Sequence, residues 1–201
     1  MTNPVRHDSP GELILIRHAE SEWNAAGRWQ GHADPPLSLR GRAQAEALAK
    51  SFDTPDVAAI YVSDLGRACE TAAPLAAKLG LRPRVDAAFR ELDVGRWSGL
   101  TREQIEANDA ELLAAFDTGD PAVRPGGGET RGELRQRARE CVALIAHAHR
   151  GERVVVVTHL GFIRAVLPDA EPENASTLFV DVETALTARQ PDTDTHPSKA
   201  L

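Results

Sequence analysis

Leu13-Ile14-Leu15-Ile16-Arg17-His18 and Val154-Val155-Val156-Val157-Thr158-His159 follow one pattern: four consecutive apolar residues, then polar ones ending in histidine. Apolar residues without alternation describe a strand covered on both faces, as parallel strands are when helices flank the sheet. Ala58-Ala59-Ile60-Tyr61-Val62 is a third such run, and it leads into Ser63-Asp64-Leu65-Gly66-Arg67. Leu178-Phe179-Val180-Asp181-Val182 alternates instead, which predicts an edge strand.

Helical signals fill the intervals. Thr130 and Glu133 form a Thr-x-x-Glu capping box. Beyond it, Leu134, Ala138, Cys141, Ile145 and Ala148 predict one apolar stripe, and Gly151 a stop before the valine run. Thr101 and Gln104 open a second helix running to about Phe116. Ala43 to Phe52 and Ala68 to Leu79 read as helices too, although Pro74 sits awkwardly in the second. Strands alternating with helices imply a three-layer α/β/α fold with a mostly parallel sheet. Residues 96–129 lack a strong strand and read as a small helical cap, ending in Pro125-Gly126-Gly127-Gly128, expected to act as a hinge.

The chain has 201 residues, 42% apolar and 26% charged, enough for one globular domain with a full core. We expect that domain over 1–186, with a disordered tail over 187–201. No apolar run suits a membrane span, and the polar N-terminus carries no secretory pattern. Cys69 and Cys141 fit no CxxC motif, so the expectation is reduced thiols and a cytoplasmic setting. A net charge of -7 argues against nucleic acid or an anionic membrane as partner. Any anion must be held by a local pocket.

The runs ending at Arg17-His18, Arg67 and Thr158-His159 supply that pocket. Ligands of open α/β sheets bind at the carboxyl ends of the strands. Two arginines and two histidines there suit a dianion, most simply a phosphoryl group. A neutral imidazole can also attack phosphorus and hold the group covalently. Glu91, in Phe89-Arg90-Glu91-Leu92, offers a carboxyl to protonate the leaving oxygen. Asp192-Thr193-Asp194-Thr195 mimics an aspartyl nucleophile motif but lacks a hydrophobic strand before it. The Gly126–Gly128 loop lacks the lysine of a P-loop. His147 and His149 read as helix-end charges, His32 as a loop residue, and Trp23, Trp29 and Trp97 as packing near the pocket.

Four blocks carry a family resemblance. Arg17-His18-Ala19-Glu20-Ser21-Glu22-Trp23-Asn24, Ser63-Asp64-Leu65-Gly66-Arg67-Ala68-Cys69-Glu70-Thr71-Ala72, Arg90-Glu91-Leu92-Asp93-Val94-Gly95-Arg96-Trp97-Ser98-Gly99 and Val157-Thr158-His159 resemble, in order, the signatures of the histidine phosphatase superfamily, the phosphoglycerate mutase-like proteins. The likeness spans about residues 12–182. It implies a phosphohistidine at His18, phosphoryl contacts from Arg17, Arg67 and His159, and a proton from Glu91. Asn24 would line the pocket, and Gln30 and Gly31 would face substrate. Neither a metal nor a cofactor is implied; the partner is a small phosphorylated metabolite, and a homodimer is compatible with the pattern.

Three departures stand out. Ala19 replaces the usual Gly. Leu160 follows the second histidine where the family has Gly, so its side chain must either turn away from the phosphoryl group or crowd it; strand alternation would face it opposite His159. The segment from His159 to Asn174-Ala175-Ser176 is short, which predicts a curtailed last helix and an open side to the pocket. Phosphomonoester hydrolysis is the main expectation. Its rivals are mutase-type phosphoryl transfer and a repurposed, weakly catalytic family member.

Overall fold

A computed structural model describes residues 11–187. Strand β1 (Glu12–Arg17) is followed by the one-turn helix α1 (Glu22–Ala25) and by α2 (Leu39–Ser51). Then come β2 (Val57–Ser63), α3 (Gly66–Leu79) and the short β3 (Arg84–Asp86). Helix α4 (Arg102–Asp117) lies in the expected cap and α5 (Arg131–Ala148) after it. The chain continues through β4 (Arg153–Thr158), α6 (Leu160–Val166), β5 (Thr177–Asp181) and α7 (Val182–Thr187). The aspartyl-like motif at Asp192 and most of the expected tail lie outside the described residues.

The sheet order is β3-β2-β4-β1-β5, parallel except for β5, which runs antiparallel to β1 at the edge. The alternating strand expected at 178–182 is that edge. Strand alternation splits the core into two layers. Ile14, Ile16, Ile60, Val62, Val155 and Val157 face Leu48, Phe52, Ala68, Ala72 and Leu75 of the α2–α3 side. Leu13, Leu15, Val154 and Val156 face Leu134, Ala138, Cys141, Val142 and Ile145 of α5 together with Phe162 and Ile163 of α6. Each such buried aliphatic side chain contributes about 1.5–3 kcal/mol.

Both capping boxes form as read, with the side chains of Thr101 and Thr130 accepting from the amides of Gln104 and Glu133. Helix α3 runs through Pro74; the buried face of Ala68, Ala72, Leu75 and Ala76 outweighs the local cost. Three expectations need correction. Ala148 is exposed, and the stripe is completed by Val142, with His149 buried just past the helix end. The turn at Gly126–Gly128 is packed rather than hinged: a Cβ on Gly126 would lie 2.2 Å from the Val94 carbonyl oxygen. Helix α4 is broken at Asp109 (φ -153°, ψ 41°), whose carboxylate collects the Trp97 indole N–H at 2.7 Å and an Arg96 N–H.

Candidate active site

Parallel pairing of β1 with β4 sets Arg17 opposite Thr158, so the residues that follow, His18 and His159, emerge side by side. The His18 amide donates to the Thr158 carbonyl at 2.8 Å, and the two rings stand 5.0 Å apart. Arg67 enters from the first turn of α3, just past β2, the other neighbour of β4. Thus three adjacent strands deliver the expected residues to one edge. His18, Arg67 and His159 are all buried.

Hydrogen bonding fixes the His18 imidazole. Its Nδ1–H donates to the Ala19 carbonyl at 2.7 Å, which leaves the lone pair on Nε2. Burial, then the nearby Arg67 charge, holds the His18 pKa well below the ordinary histidine value, so the ring is neutral. His159 is held low for the same two leading reasons. Its Nε2 meets Ser63 Oγ at 2.8 Å.

The arginines are spent partly on their own loops. Arg67 donates through Nη1 to Ala33 O at 2.6 Å and through Nη2 to Gly31 O at 2.8 Å, with Asp34 at 3.6 Å. Desolvation lowers its pKa to about 10, which still leaves it charged at neutral pH. Arg17 donates through Nη1 to Pro172 O at 2.9 Å; desolvation lowers its pKa and Glu91 opposes the shift. Among the described residues, three buried side-chain nitrogens have no protein partner: Arg17 Nε, Arg67 Nε and His159 Nδ1. Leaving a buried polar group unpaired costs about 1–3 kcal/mol, so such atoms call for a partner.

Glu91 sits at this site with both carboxylate oxygens held by main chain: Oε1 accepts from Leu92 N at 2.8 Å and Oε2 from Gly161 N at 3.1 Å. His32, read as a plain loop residue, donates through Nε2 to the Glu91 carbonyl at 2.9 Å. Asn24 and Gln30 are organised by Ser21. Asn24 Oδ1 accepts from Ser21 N at 3.1 Å and Gln30 Oε1 from Ser21 Oγ at 2.8 Å. Both carboxamides therefore present their NH2 ends elsewhere. Asn24 also completes the α1 capping box. Gly31 takes part through its carbonyl on Arg67, and at φ +52° it leaves no room for a side chain against Val94.

Strand pairing ends at Thr158, and His159, still extended at φ -128° and ψ 166°, is the N-cap of α6, which begins at Leu160. The glycine that a close approach requires is Gly161, where a Cβ would lie 2.1 Å from Glu91 Oε1. Helix α6 is short, at 7 residues, but that side is not open. Pro172 accepts from Arg17, Asn174 Nδ2 donates to His18 O at 2.9 Å, and the Ala175 amide donates to Arg17 O at 3.1 Å. Sequence reasoning assigned no role to Ser21, Ser63, Thr71 or Gly161. Thr71 Oγ1 accepts from Ala19 N at 2.9 Å and donates to Arg67 O at 2.7 Å, linking the histidine loop to α3. Ser21, Ser63 and Thr71 all lie within the signature blocks, which was the available signal. Among the described residues no His/Cys/Asp/Glu group is arranged to hold a metal ion.

Comparison with known proteins bears on the family and the fold. The family model "Histidine phosphatase superfamily (branch 1)" matches residues 13–188. Phosphoglycerate mutase-like protein 4 of Arabidopsis thaliana is 38% identical over 164 residues, 80% of this chain and 71% of that protein. Metal-independent phosphoserine phosphatase of the same plant is 38% identical over 159 residues, 77% of this chain and 66% of its own length. The solved structure of mycobacterial glucosyl-3-phosphoglycerate phosphatase with VO3 superposes with a TM-score of 0.78 at 32% identity, covering 85% of this chain and 90% of that one. The chain belongs to the histidine phosphatase superfamily, branch 1.

Proposed function

We propose that this chain hydrolyses a small phosphomonoester through a phosphohistidine on His18. The observation that carries the reading is the convergence of Arg17 Nε, Arg67 Nε and His159 Nδ1, all buried and unpartnered, beside a neutral His18 with its lone pair on Nε2. His18 Nε2 attacks phosphorus as the P–O ester bond breaks, and the leaving oxygen takes the Glu91 proton. Water then attacks the phosphohistidine, giving its proton to the Glu91 carboxylate, and His18 leaves as neutral imidazole. Arg17, Arg67, His159 and the NH2 ends of Asn24 and Gln30 hold the phosphoryl oxygens. This fixed positive and donor-rich surround stabilises the charge that builds in the transition state, so catalysis needs no divalent ion.

Relatives named as phosphatases of phosphoserine and glucosyl-3-phosphoglycerate support a small phosphorylated metabolite as substrate. The free thiols of Cys69 and Cys141 suit a cytoplasmic setting. No helix among the described residues is long and apolar enough to cross a membrane. The test is a panel of phosphorylated metabolites read by inorganic phosphate release, with and without excess EDTA. Release that survives chelation and needs no bisphosphoglycerate supports hydrolysis by this site. Loss on chelation with rescue by Mg²⁺ or Zn²⁺ refutes it, and dependence on bisphosphoglycerate indicates mutase chemistry.

A further inference from the structure

Glu91 projects from a stretch, residues 90–94, that belongs to neither helix nor strand. Its carbonyls lack a ladder to pair with, yet part-buried carbonyls require donors. One side chain serves two of them, at Arg90 and Glu91, with His32 as a second donor to the Glu91 carbonyl. Arg137 of α5 donates through Nη1 to Ala88 O at 2.7 Å and Arg90 O at 2.9 Å, and through Nη2 to Glu91 O at 3.4 Å. Its remaining N–H groups go to Glu129: Nε to Oε1 at 3.1 Å and Nη2 to Oε2 at 2.8 Å. All five guanidinium donors are thereby used. Glu129 closes the clamp from the other side, since its amide donates to Asp93 O at 2.9 Å and its Oε2 accepts from Asp93 N at 3.4 Å. The backbone is thus held on one flank of Glu91 by Arg137 of α5 and on the other by Glu129, which precedes that helix.

We propose that Arg137, itself held by Glu129, is the positioning residue for proton delivery: it fixes the main chain from which Glu91 reaches the leaving oxygen. The proposal rests on the acid role given to Glu91 above. Arg137 spends its donors on peptide carbonyls and the Glu129 carboxylate, so it acts through Glu91 rather than on substrate. A displacement of about 1 Å at a reacting group can cost about 10²-fold. That cost falls where protonation matters, on alkyl phosphates, and spares esters such as 4-nitrophenyl phosphate whose leaving group departs unprotonated.

The experiment measures kcat/KM, which reports phosphoryl transfer to His18 and not the later hydrolysis, on an alkyl phosphate and on 4-nitrophenyl phosphate for the native chain, Glu91→Gln, Arg137→Met, Arg137→Lys and the double variant Glu91→Gln/Arg137→Met. The ratio of the two rates within one preparation does not depend on how much of it is folded. Arg137→Met is expected to lower kcat/KM for the alkyl phosphate by about 10²-fold while changing that for 4-nitrophenyl phosphate only a few-fold. Arg137→Lys is expected not to rescue, because a point ammonium cannot span three carbonyls and a carboxylate. The double variant is expected to show the ratio of Glu91→Gln alone, as two residues acting through one step do. If Glu91→Gln shifts the ratio and Arg137→Met leaves it native, the positioning proposal alone is overturned. If Glu91→Gln leaves the ratio native, the acid role and the proposal are both overturned.

Discussion

Replacing Gly161 with alanine separates stability from catalysis. The new Cβ would lie 2.1 Å from Glu91 Oε1 and 3.2 Å from its Cδ, against a floor of 3.0 Å that real Cβ contacts keep. The carboxyl must therefore retreat by about 1 Å, the scale at which misplacement costs about 10²-fold. The obstacle is the end of a flexible side chain, so the backbone of α6 need not move. Gly161 is a helical position, where alanine is favoured over glycine by about 1 kcal/mol. Gly161→Ala should melt at or above the native temperature while losing about 10²-fold in kcat/KM on an alkyl phosphate and far less on 4-nitrophenyl phosphate. Thermal melts and steady-state rates on the two substrates check this. A folded Gly161→Ala chain with native turnover of alkyl phosphate, or with equal losses on both esters, would refute the placement of Glu91 as proton donor.

Leu160→Gly should behave in the opposite way: it removes a helix former at the start of α6, lowering stability by up to about 1 kcal/mol, and leaves kcat near native. A clear rise in turnover would show that Leu160 crowds the phosphoryl site. Arg67→Lys should reduce kcat/KM by about 10²-fold or more and weaken inorganic phosphate as a competitive inhibitor, because one ammonium cannot hold Ala33, Gly31 and an oxyanion together; near-native kinetics would remove Arg67 from the site. His18 and His159 bind protons less readily folded than unfolded, so their contribution is fully present above about pH 6.5 and is lost as pH falls below it. The loss is read as a falling unfolding free energy in urea between pH 7 and pH 5, with a slope to which both histidines contribute. His159→Asn should roughly halve that slope, and an unchanged slope would contradict a neutral buried pair.

The parts of this architecture that were legible in the sequence are those with local periodicity or local caps. The Val154–Val157 run, the Thr130 box and the alternation at Leu178–Val182 each announce an element from a few adjacent residues. The residues closing the strands, Arg17-His18 and Thr158-His159, were readable because topology alone brings strand ends together. What was not legible depends on long-range contact. Strand β3 is three residues long and exposed, so it has no apolar signature. The kink at Asp109 arises from partners on another turn, Trp97 and Arg96. Arg137 looks like any charged helix residue until the 88–91 backbone is folded against it. Leu160 drew attention as an unusual residue at a motif position, whereas the tight approach is made by its neighbour Gly161, which any helix-start pattern would accept. The contacts that Pro172 and Ala175 make with Arg17 likewise rest on their main-chain groups, which carry no residue-type signal.

The central claim is that His18 Nε2 accepts the phosphoryl group. It is tested most directly by mixing enzyme with excess substrate, quenching in alkali within the first turnover, and mapping the modified peptide by mass spectrometry. The account predicts a single phosphorylated residue, His18, on a bond stable to base and labile to acid, and neither phosphopeptide nor turnover in His18→Ala. Phosphate on any other side chain, or retained turnover in His18→Ala, would contradict it.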